Sequence, residues 1–527
     1  MKSLKEFNIK ENRDNILKYG LLVLLFAQCL AIFLFNLLQT EDYLFLDNAL
    51  AIRHAVEMWR NGLFLDGYHY YSTMEIDNAA FFAVPLYLLT GNLGLSLGII
   101  HVILYGICAF LLYSVFKHAG YDTKYGFLAT FLLFTPFVIQ GLDWGNMLFI
   151  TVGQYQFRVM VMLSMTNLML MAMNHKAEKK MFIPVFVFHL LLCIWTTLSC
   201  GNYVLLMIVL PFCLFYIFSL CISEKMEWNK EAIIILVSSV LACIIPFVIR
   251  NHMIGETSRE SLALLTADSF TANLLNCVTG FFMLFGGLTQ DPYVPIFSTK
   301  GILKIIKFVF TLGCLVIVWM KFKKVKRTDY LHYMFAFVAL VNLMVMILAI
   351  TRYGADIYEY RYHIVWGAML LPVAVASLDA IPHVRLRNVV LAVVVCMAVF
   401  INVGGFNKIT EETHGTDYVR SIIDVAEQEN LDTIYVYNML DEAAAIRALD
   451  LDKSCMSVTY VIDHVYTSTD DFYTDYSLYD TYDEKHLFVC SEECFAPLPE
   501  DIKACYTQIG ELGENCLFIG TENPWLW

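Results

Sequence analysis

Long apolar runs alternate with short polar segments along the first 406 residues of the chain. A helix needs about 20 apolar residues to cross the hydrocarbon core of a bilayer, and eleven of the runs approach that length. The pattern predicts transmembrane helices at 19–39, 93–116, 126–142, 158–174, 182–199, 203–222, 232–249, 302–320, 330–350, 363–379 and 388–406. The apolar stretch 278–288 is shorter and contains three glycines, which favours a re-entrant or surface segment.

The pattern changes after residue 406, where the apolar runs shorten and polar residues become frequent. Helical periodicity is found at 415–429 and 441–449, and strand-like runs are found at 433–437, 457–462, 486–490 and 515–520. This alternation predicts a small α/β domain, 407–527, behind a membrane domain, 1–406. The segment has no glycine-rich phosphate loop, which argues against nucleotide binding.

The composition agrees with a polytopic α-helical membrane protein. Hydrophobic residues make up 58% of the chain and charged residues only 16%. The first apolar run is too long for a signal-peptide core and ends without small residues for cleavage, so we expect an uncleaved helix.

Lysine and arginine fall in alternate short loops if the eleven helices cross in turn. Such basic loops mark the cytoplasmic side, which also places the N-terminus there. The loops 41–92, 143–157, 250–301 and 351–362, together with the C-terminal domain, are then extracytoplasmic. The net charge is −14, and residues 408–527 hold 25 acidic against 6 basic residues. This acidic balance argues against a nucleic-acid partner and against docking on anionic lipid.

Ten of the 15 cysteines lie in the apolar segments, where we expect small buried side chains. Five lie in the C-terminal domain, as disulfides or as free thiols: Cys455, Cys490, Cys494, Cys505 and Cys516.

The first extracytoplasmic loop begins with an amphipathic stretch, 41–62. Helical spacing would place an apolar stripe on the bilayer surface, formed by Ala49, Ile52, Ala55, Val56 and Trp59. Asp47, Arg53 and Arg60 would then face water or a cavity. Asp47 is followed by Arg53 after six residues and by Gly62 after fifteen.

This spacing resembles the first extracytoplasmic loop of the GT-C superfamily, the polytopic glycosyltransferases that use sugars linked to polyprenyl phosphate. The resemblance includes oligosaccharyltransferase catalytic subunits and bacterial mannosyl and aminoarabinose transferases. It implies an inverting transferase with Asp47 as the catalytic base or a metal ligand and Arg53 near the substrate. The residues alone leave other interpretations open, because Asp47 could be an exposed acid capping a helix, and Glu41 or Asp42 could take its place.

Further acids lie in the outer loops. Asp143, in Q-G-L-D-W-G-N, resembles the second acid of the superfamily, and Asp47 and Asp143 together could hold Mg²⁺ or Mn²⁺. Glu75 and Asp77, in T-M-E-I-D-N, occupy the place where aminoarabinose-transferase-like members carry a Glu-Lys-Pro element. The lysine and the proline are absent here, so substrate binding and a solvated loop both remain open.

Arg361, followed by Tyr362 and later by Pro372, resembles a recurring GT-C feature of the last large outer loop. The planar guanidinium of arginine can donate two parallel hydrogen bonds to phosphate oxygens. An arginine at the membrane interface that extends its charged end to water would show the same sequence pattern. Arg158 is a further candidate for substrate binding, and Arg250 and Arg352 are weaker ones. His189 and Asn202 are expected to form interhelical hydrogen bonds.

Together, these features predict transfer of a sugar from a polyprenyl-phosphate donor to an envelope glycan, lipid or protein at the outer face of the cell membrane. The alternative is a polytopic transporter or lipid flippase of envelope-glycan precursors, which should show repeated halves and charges near the middle of the membrane. No internal repeat is found, and the acids lie in outer loops. A non-catalytic envelope assembly protein is the third possibility.

Overall fold

The structure is a computed structural model. It describes residues 2–65, 68–69, 74–139, 143–174, 179–222, 228–254, 263–264, 267, 270–288, 293–350, 360–412, 416–461, 464–467, 474–475 and 485–522. The helices of these ranges are α1 (Lys2–Gln39), α2 (Leu46–Asn61), α3 (Ala79–Thr90), α4 (Leu93–Ala119), α5 (Lys124–Leu133), α6 (Trp144–Leu148), α7 (Gln156–Met173), α8 (Lys179–Cys200), α9 (Leu210–Ile222), α10 (Lys230–Ile254), α11 (Phe270–Leu284), α12 (Thr299–Phe322), α13 (Tyr330–Leu348), α14 (Ile364–Ala376), α15 (Val384–Gly405), α16 (Asp417–Gln428), α17 (Leu440–Leu449), α18 (Glu492–Phe495) and α19 (Glu500–Ala504). A π-helical turn, Leu205–Val209, leads into α9, and 3₁₀ turns lie at Glu41–Tyr43, Tyr360–His363, Ser377–Ala380 and Asn407–Thr410.

The chain is a multi-pass membrane protein. In the part of the chain that the structure describes, ten helical segments are long and apolar enough to cross a membrane. They are Leu17–Gln39, Leu93–Ala119, Gln156–Met173, Lys180–Cys200, Leu205–Ile222, Lys230–Ile254, Thr299–Phe322, Tyr330–Leu348, Tyr360–Ala380 and Val384–Thr410. Ten of the eleven predicted transmembrane helices are present in these segments.

The remaining prediction, at 126–142, is wrong in extent. α5 has only 10 residues and ends at Leu133, so it covers about 15 Å, or half of the hydrocarbon core. Pro136 explains this end, since a proline lacks the backbone N–H and disfavours helical backbone in the residue before it. The predicted short segment at 278–288 lies at the end of α11, which is likewise too short to cross.

α7 and α14 form the centre of the membrane domain, because 94% of the apolar window of each span is buried inside the protein. Polar side chains connect the surrounding elements. The Asn36 amide of α1 donates to the Phe149 carbonyl at 3.0 Å and accepts from the Thr151 backbone N–H at 2.9 Å. These bonds attach the segment after α6 to α1, and buried bonds of this kind fix one relative position of the elements.

The C-terminal region contains a six-stranded mixed sheet. Its strands are β1 (Thr433–Tyr437), β2 (Ser454–Val461), β3 (His464–Thr467), β4 (His486–Ser491), β5 (Tyr506–Leu512) and β6 (Asn515–Gly520). Their order across the sheet is β3-β2-β1-β4-β6-β5, with β1 parallel to both β2 and β4. The predicted helices and four predicted strands are found, and β3 and β5 are additional. Two-residue bridges also join Tyr68–His69 to Thr474–Asp475 and Ala263–Leu264 to Ala349–Ile350.

All fifteen cysteines are free thiols. Cys490 and Cys516 are nevertheless direct neighbours across the antiparallel pair β4 and β6.

The amphipathic stretch forms α2, and Gly62 ends it at φ 107° with its N–H bonded to the Met58 carbonyl. Ala49, Ile52, Ala55 and Val56 are buried in the protein. The predicted position of this stripe on the bilayer surface is therefore wrong, because the stripe packs against other elements of the chain instead. Trp59, the fifth member, is 48% exposed.

Candidate active site

Asp47 lies in the first turn of α2. Its Oδ2 is 3.7 Å from the Nη1 of Arg361, although the two residues are far apart in sequence. The Asp47 side chain is 38% exposed and that of Arg361 only 13%, so the carboxylate can be reached from outside while the guanidinium is largely enclosed. The structure thus brings together the predicted base and the predicted phosphate ligand.

Arg361 is held by a 3₁₀ turn, Tyr360–His363, directly before α14. Buried His363 accepts a hydrogen bond from Trp366 Nε1 at 2.9 Å, which ties the turn to the first turn of the helix. The Arg361 guanidinium lies 5.9 Å from the centre of the Tyr362 ring, within reach of a cation–π contact. The turn therefore holds the Arg361 backbone in place at the start of α14.

Asp143 precedes the short helix α6 and is only 8% exposed. The Tyr360 hydroxyl donates a hydrogen bond to its Oδ1. Tyr360 is the neighbour of Arg361, so one dipeptide contacts Asp143 through its tyrosine and Asp47 through its arginine. Tyr360 was not among the predicted site residues, although it stands within the Y-E-Y-R-Y-H motif that drew attention to Arg361.

Burial raises the pKa of Asp143 to about 6. The Tyr360 hydrogen bond and the positive charges of Lys307 and Lys304 oppose this rise. Desolvation outweighs them because the buried carboxylate loses more favourable hydration than one hydrogen bond and the two lysine charges replace. Asp143 therefore titrates close to neutral pH, as groups in active sites often do.

Two lysines of α12 approach the same region. The Lys307 ammonium donates to the Phe137 carbonyl, and a side chain at Gly286 would come within 2.8 Å of that carbonyl oxygen. Gly286 has φ 68°, a backbone conformation that favours glycine. Sequence reasoning missed Lys304 and Lys307, whose signal is a K-I-I-K element inside an apolar run.

Asp77 and Arg158 form a second cluster. They make a buried ion pair, with Arg158 Nε 2.9 Å from Asp77 Oδ2. Ser199 donates to the other Asp77 oxygen, and the guanidinium lies over the rings of Tyr155 at 4.2 Å and Tyr203 at 4.9 Å. A buried charge pair needs further partners for stability, and Ser199 and the two tyrosine rings supply such contacts here.

The backbone of the loop that carries Asp77 has one unusual residue. Glu75 precedes Asp77 with φ 49°, which is uncommon for a residue other than glycine. Strained backbone of this kind is concentrated at functional sites.

The structure places the remaining candidates elsewhere. Arg53 pairs with Glu57 at 2.7 Å and donates to the Leu451 carbonyl at 2.9 Å, so it contacts the C-terminal region. Arg250 is buried and donates to Asn251. His189 joins Ser164 to Ser239, the interhelical bonding expected of it, whereas Asn202 is exposed. Arg352 lies outside the described residues.

A metal ion at Asp47 and Asp143 stays a prediction. Within the described ranges, no three His, Cys, Asp or Glu side chains converge in a way that could hold a metal ion. The Arg361 guanidinium beside Asp47 supplies a positive charge at the same place.

No protein-family model and no curated protein matches this sequence. Solved structures do match its fold. ArnT from Cupriavidus metallidurans in the apo state superposes with a TM-score of 0.59 at 12% identity, over 95% of this chain and 98% of that one. The chain has the ArnT fold. The structure of ArnT bound to undecaprenyl phosphate matches over the same shares at 13% identity and a TM-score of 0.57. The ArnT fold confirms the predicted architecture of many transmembrane helices with a small α/β region at the C-terminal end.

Proposed function

We propose that the protein is a GT-C-type membrane glycosyltransferase that takes a sugar from a polyprenyl-phosphate donor. The observation that carries this proposal is the 3.7 Å contact between Asp47 and Arg361. It combines, at one point, a carboxylate that can accept a proton and a cation that can stabilise a phosphate. ArnT has this fold and has been observed with undecaprenyl phosphate, which supports a donor of that class.

The reaction is a single displacement. Asp47 accepts the proton of an acceptor hydroxyl while the hydroxyl oxygen attacks the anomeric carbon of the donor. The bond from that carbon to the phosphate oxygen breaks, and the phosphate leaves with the bonding electrons. Attack from the face opposite the leaving group inverts the anomeric configuration.

Arg361 stabilises the negative charge that develops on the departing phosphate. Tyr362 supports the guanidinium, and Asp143 orients Tyr360 beside it through their hydrogen bond. Arg158, Asp77 and Glu75 of the second cluster would contact the donor headgroup. The proposed acceptor is an envelope glycan, lipid or protein at the outer face, and the distribution of lysine and arginine among the loops supports that side of the membrane.

Purified protein in liposomes with undecaprenyl-phosphate sugars tests the proposal. We expect sugar transfer by the wild type and a loss of about 10²- to 10⁴-fold in Asp47→Asn, the range for removal of a general base. Asp424→Asn, at an exposed position of α16, is the matched control and should retain the wild-type rate.

Two results would contradict the proposal. Transfer by Asp47→Asn at the wild-type rate would remove Asp47 from the base role, and failure to bind any polyprenyl phosphate would refute the reaction class. Addition of EDTA tests the metal question separately, because loss of transfer that Mg²⁺ or Mn²⁺ restores would show that the reaction requires a divalent cation.

A further inference from the structure

The helix that carries Asp47 begins without a cap of its own. Phe45 stands at the N-cap position of α2 and offers no side-chain acceptor for the first backbone N–H groups. Helix N-termini leave such groups unpaired unless a side chain, a ligand or water accepts from them. The backbone N–H of Leu46, directly before Asp47, therefore needs a hydrogen-bond acceptor from another part of the chain.

The C-terminal region supplies that acceptor. Asp441 Oδ1 accepts a hydrogen bond from the Leu46 backbone N–H at 3.0 Å. Asp441 belongs to the first turn of α17, so an acid of the C-terminal region caps a helix of the membrane domain. Its negative charge also interacts favourably with the positive end of the α2 dipole.

The membrane domain contacts the other end of α17. Tyr87 of α3 donates to the Ala448 carbonyl in the last turn of α17 at 3.0 Å, and Arg53 of α2 donates to the Leu451 carbonyl, two residues beyond that helix, at 2.9 Å. The last carbonyls of a helix have no partner within the helix, so such donors stabilise its end. Both α2 and α3 thus contribute polar contacts to the C-terminal side of α17.

Small residues let the two helices come close. Ala443, Ala444 and Ala448 of α17 are fully buried, and Ala51 and Ala55 of α2 are at most 2% exposed. α2 and α17 pack against each other. Close packing transmits the position of one helix to the other, because protein interiors do not deform continuously.

A second tether acts just upstream of α2. Glu41 forms a two-oxygen ion pair with Arg420 of α16 and accepts a hydrogen bond from Thr416 at 3.1 Å. The C-terminal region therefore holds the chain on the N-terminal side of Asp47 and caps the helix in which Asp47 lies.

We infer that the C-terminal domain is a positioning element of the active site, and that Asp441 sets the position of Asp47 by capping α2. Asp441 acts through the helix and touches no reacting atom. The catalytic consequence of this inference rests on the proposed function, whereas its structural consequence does not. A misplacement of about 1 Å at a catalytic group can reduce a rate about 10²-fold.

The test combines hydrogen exchange of the peptide 44–52 with transfer kinetics, on the full-length protein. In Asp441→Ala we expect exchange at this peptide to rise about 2- to 10-fold, as for loss of a helix cap. We also expect kcat to fall about 3- to 10-fold with an unchanged KM for the donor, because Asp47 is displaced and donor binding is not. Asp441→Asn retains an acceptor oxygen and should restore both values.

Two further variants complete the design. Asp501→Ala removes an acid from the first turn of α19 and should change neither value. Arg420→Gln weakens the ion pair with Glu41 and leaves the cap of α2 unaltered. It replaces Asp441→Ala if that variant does not fold, and it should raise exchange at the same peptide.

Unchanged exchange at 44–52 in Asp441→Ala and Arg420→Gln would overturn the inference, whatever the activity. Faster exchange with an unchanged kcat would also overturn it, since the cap would then be structural only. If the wild type transferred no sugar at all, the proposed function would fail, and the exchange result would still decide whether the domain positions α2.

Discussion

Among single residues, Arg361 is the one on which the proposed phosphate binding depends, because its guanidinium is largely enclosed and lies beside Asp47. We expect Arg361→Gln to reduce transfer about 10- to 100-fold and to weaken binding of undecaprenyl phosphate, as loss of a charge-assisted hydrogen bond would. Arg361→Lys should retain more transfer and binding than Arg361→Gln, because lysine keeps the positive charge but cannot donate two parallel hydrogen bonds.

Arg60→Gln is the matched control for this change. Its side chain is 39% exposed at the other end of α2, and its loss should leave donor binding unchanged. Equal binding of undecaprenyl phosphate by wild type and Arg361→Gln would show that the phosphate lies elsewhere, and the Arg158 cluster would become the better candidate.

Asp143 gives the site a pH dependence. Its pKa in the folded protein is about 6 because of burial, whereas an unfolded aspartate titrates near 3.9. Between these values the folded state binds more protons than the unfolded state, so stability falls as pH rises from about 4 to about 6. We expect the melting temperature of the wild type to decrease over this range.

Asp143→Asn removes the titrating group and keeps an oxygen for the Tyr360 hydroxyl. The two proteins should have nearly the same free energy of unfolding at about pH 4. Above about pH 6 the variant should be more stable by at most about 3 kcal/mol. If the melting temperatures of the two proteins differed by the same amount at every pH, Asp143 would have an ordinary pKa and be well solvated.

At the scale of elements, the contact between α1 and α4 fixes the segment that follows Asp143. A Cβ at Gly94 would lie 2.7 Å from the backbone oxygens of Asn36 and Leu37. Because backbone cannot move aside cheaply, we expect Gly94→Ala to destabilise the protein by about 1–3 kcal/mol. Asn36 would move as well, and with it the Phe149–Thr151 segment that it holds.

Gly106→Ala in the same helix is the control. No atom lies within 4 Å of its added Cβ, so alanine should be neutral or stabilising by up to about 1 kcal/mol. Thermal melting of both variants in detergent measures the contrast, and equal melting temperatures would mean that α1 and α4 are not in close contact.

For the whole molecule, the loop charges predict an orientation in the membrane with the C-terminal region outside the cytoplasm. We expect alkaline phosphatase fused after residue 527 to be active, since this enzyme needs disulfides that form only outside the cytoplasm. The same enzyme inserted into the basic loop 323–328 should be inactive. The reverse pattern would place the site on the cytoplasmic face and exclude an outer acceptor.

The candidate site was only partly predictable from sequence. Asp47, Asp143 and Arg361 were recognised separately by local motifs, but their convergence depends on Tyr360, which contacts Asp143 across more than two hundred residues. Arg53 belongs to the spacing motif that pointed to Asp47, but its side chain contacts the C-terminal region and not Asp47. Spacing along the chain shows which residues are available, whereas it carries no information on the direction in which a loop folds back.

The apolar runs alone predicted the ten segments that can cross the membrane, because the length of a run shows whether a helix can span a bilayer. Periodicity likewise predicted the α/β character of the C-terminal region. The folded chain was needed to show that the stripe of α2 is buried in protein and that Asp441 caps the helix of Asp47. These two features are contacts between distant segments, and such contacts are set by packing of the whole chain.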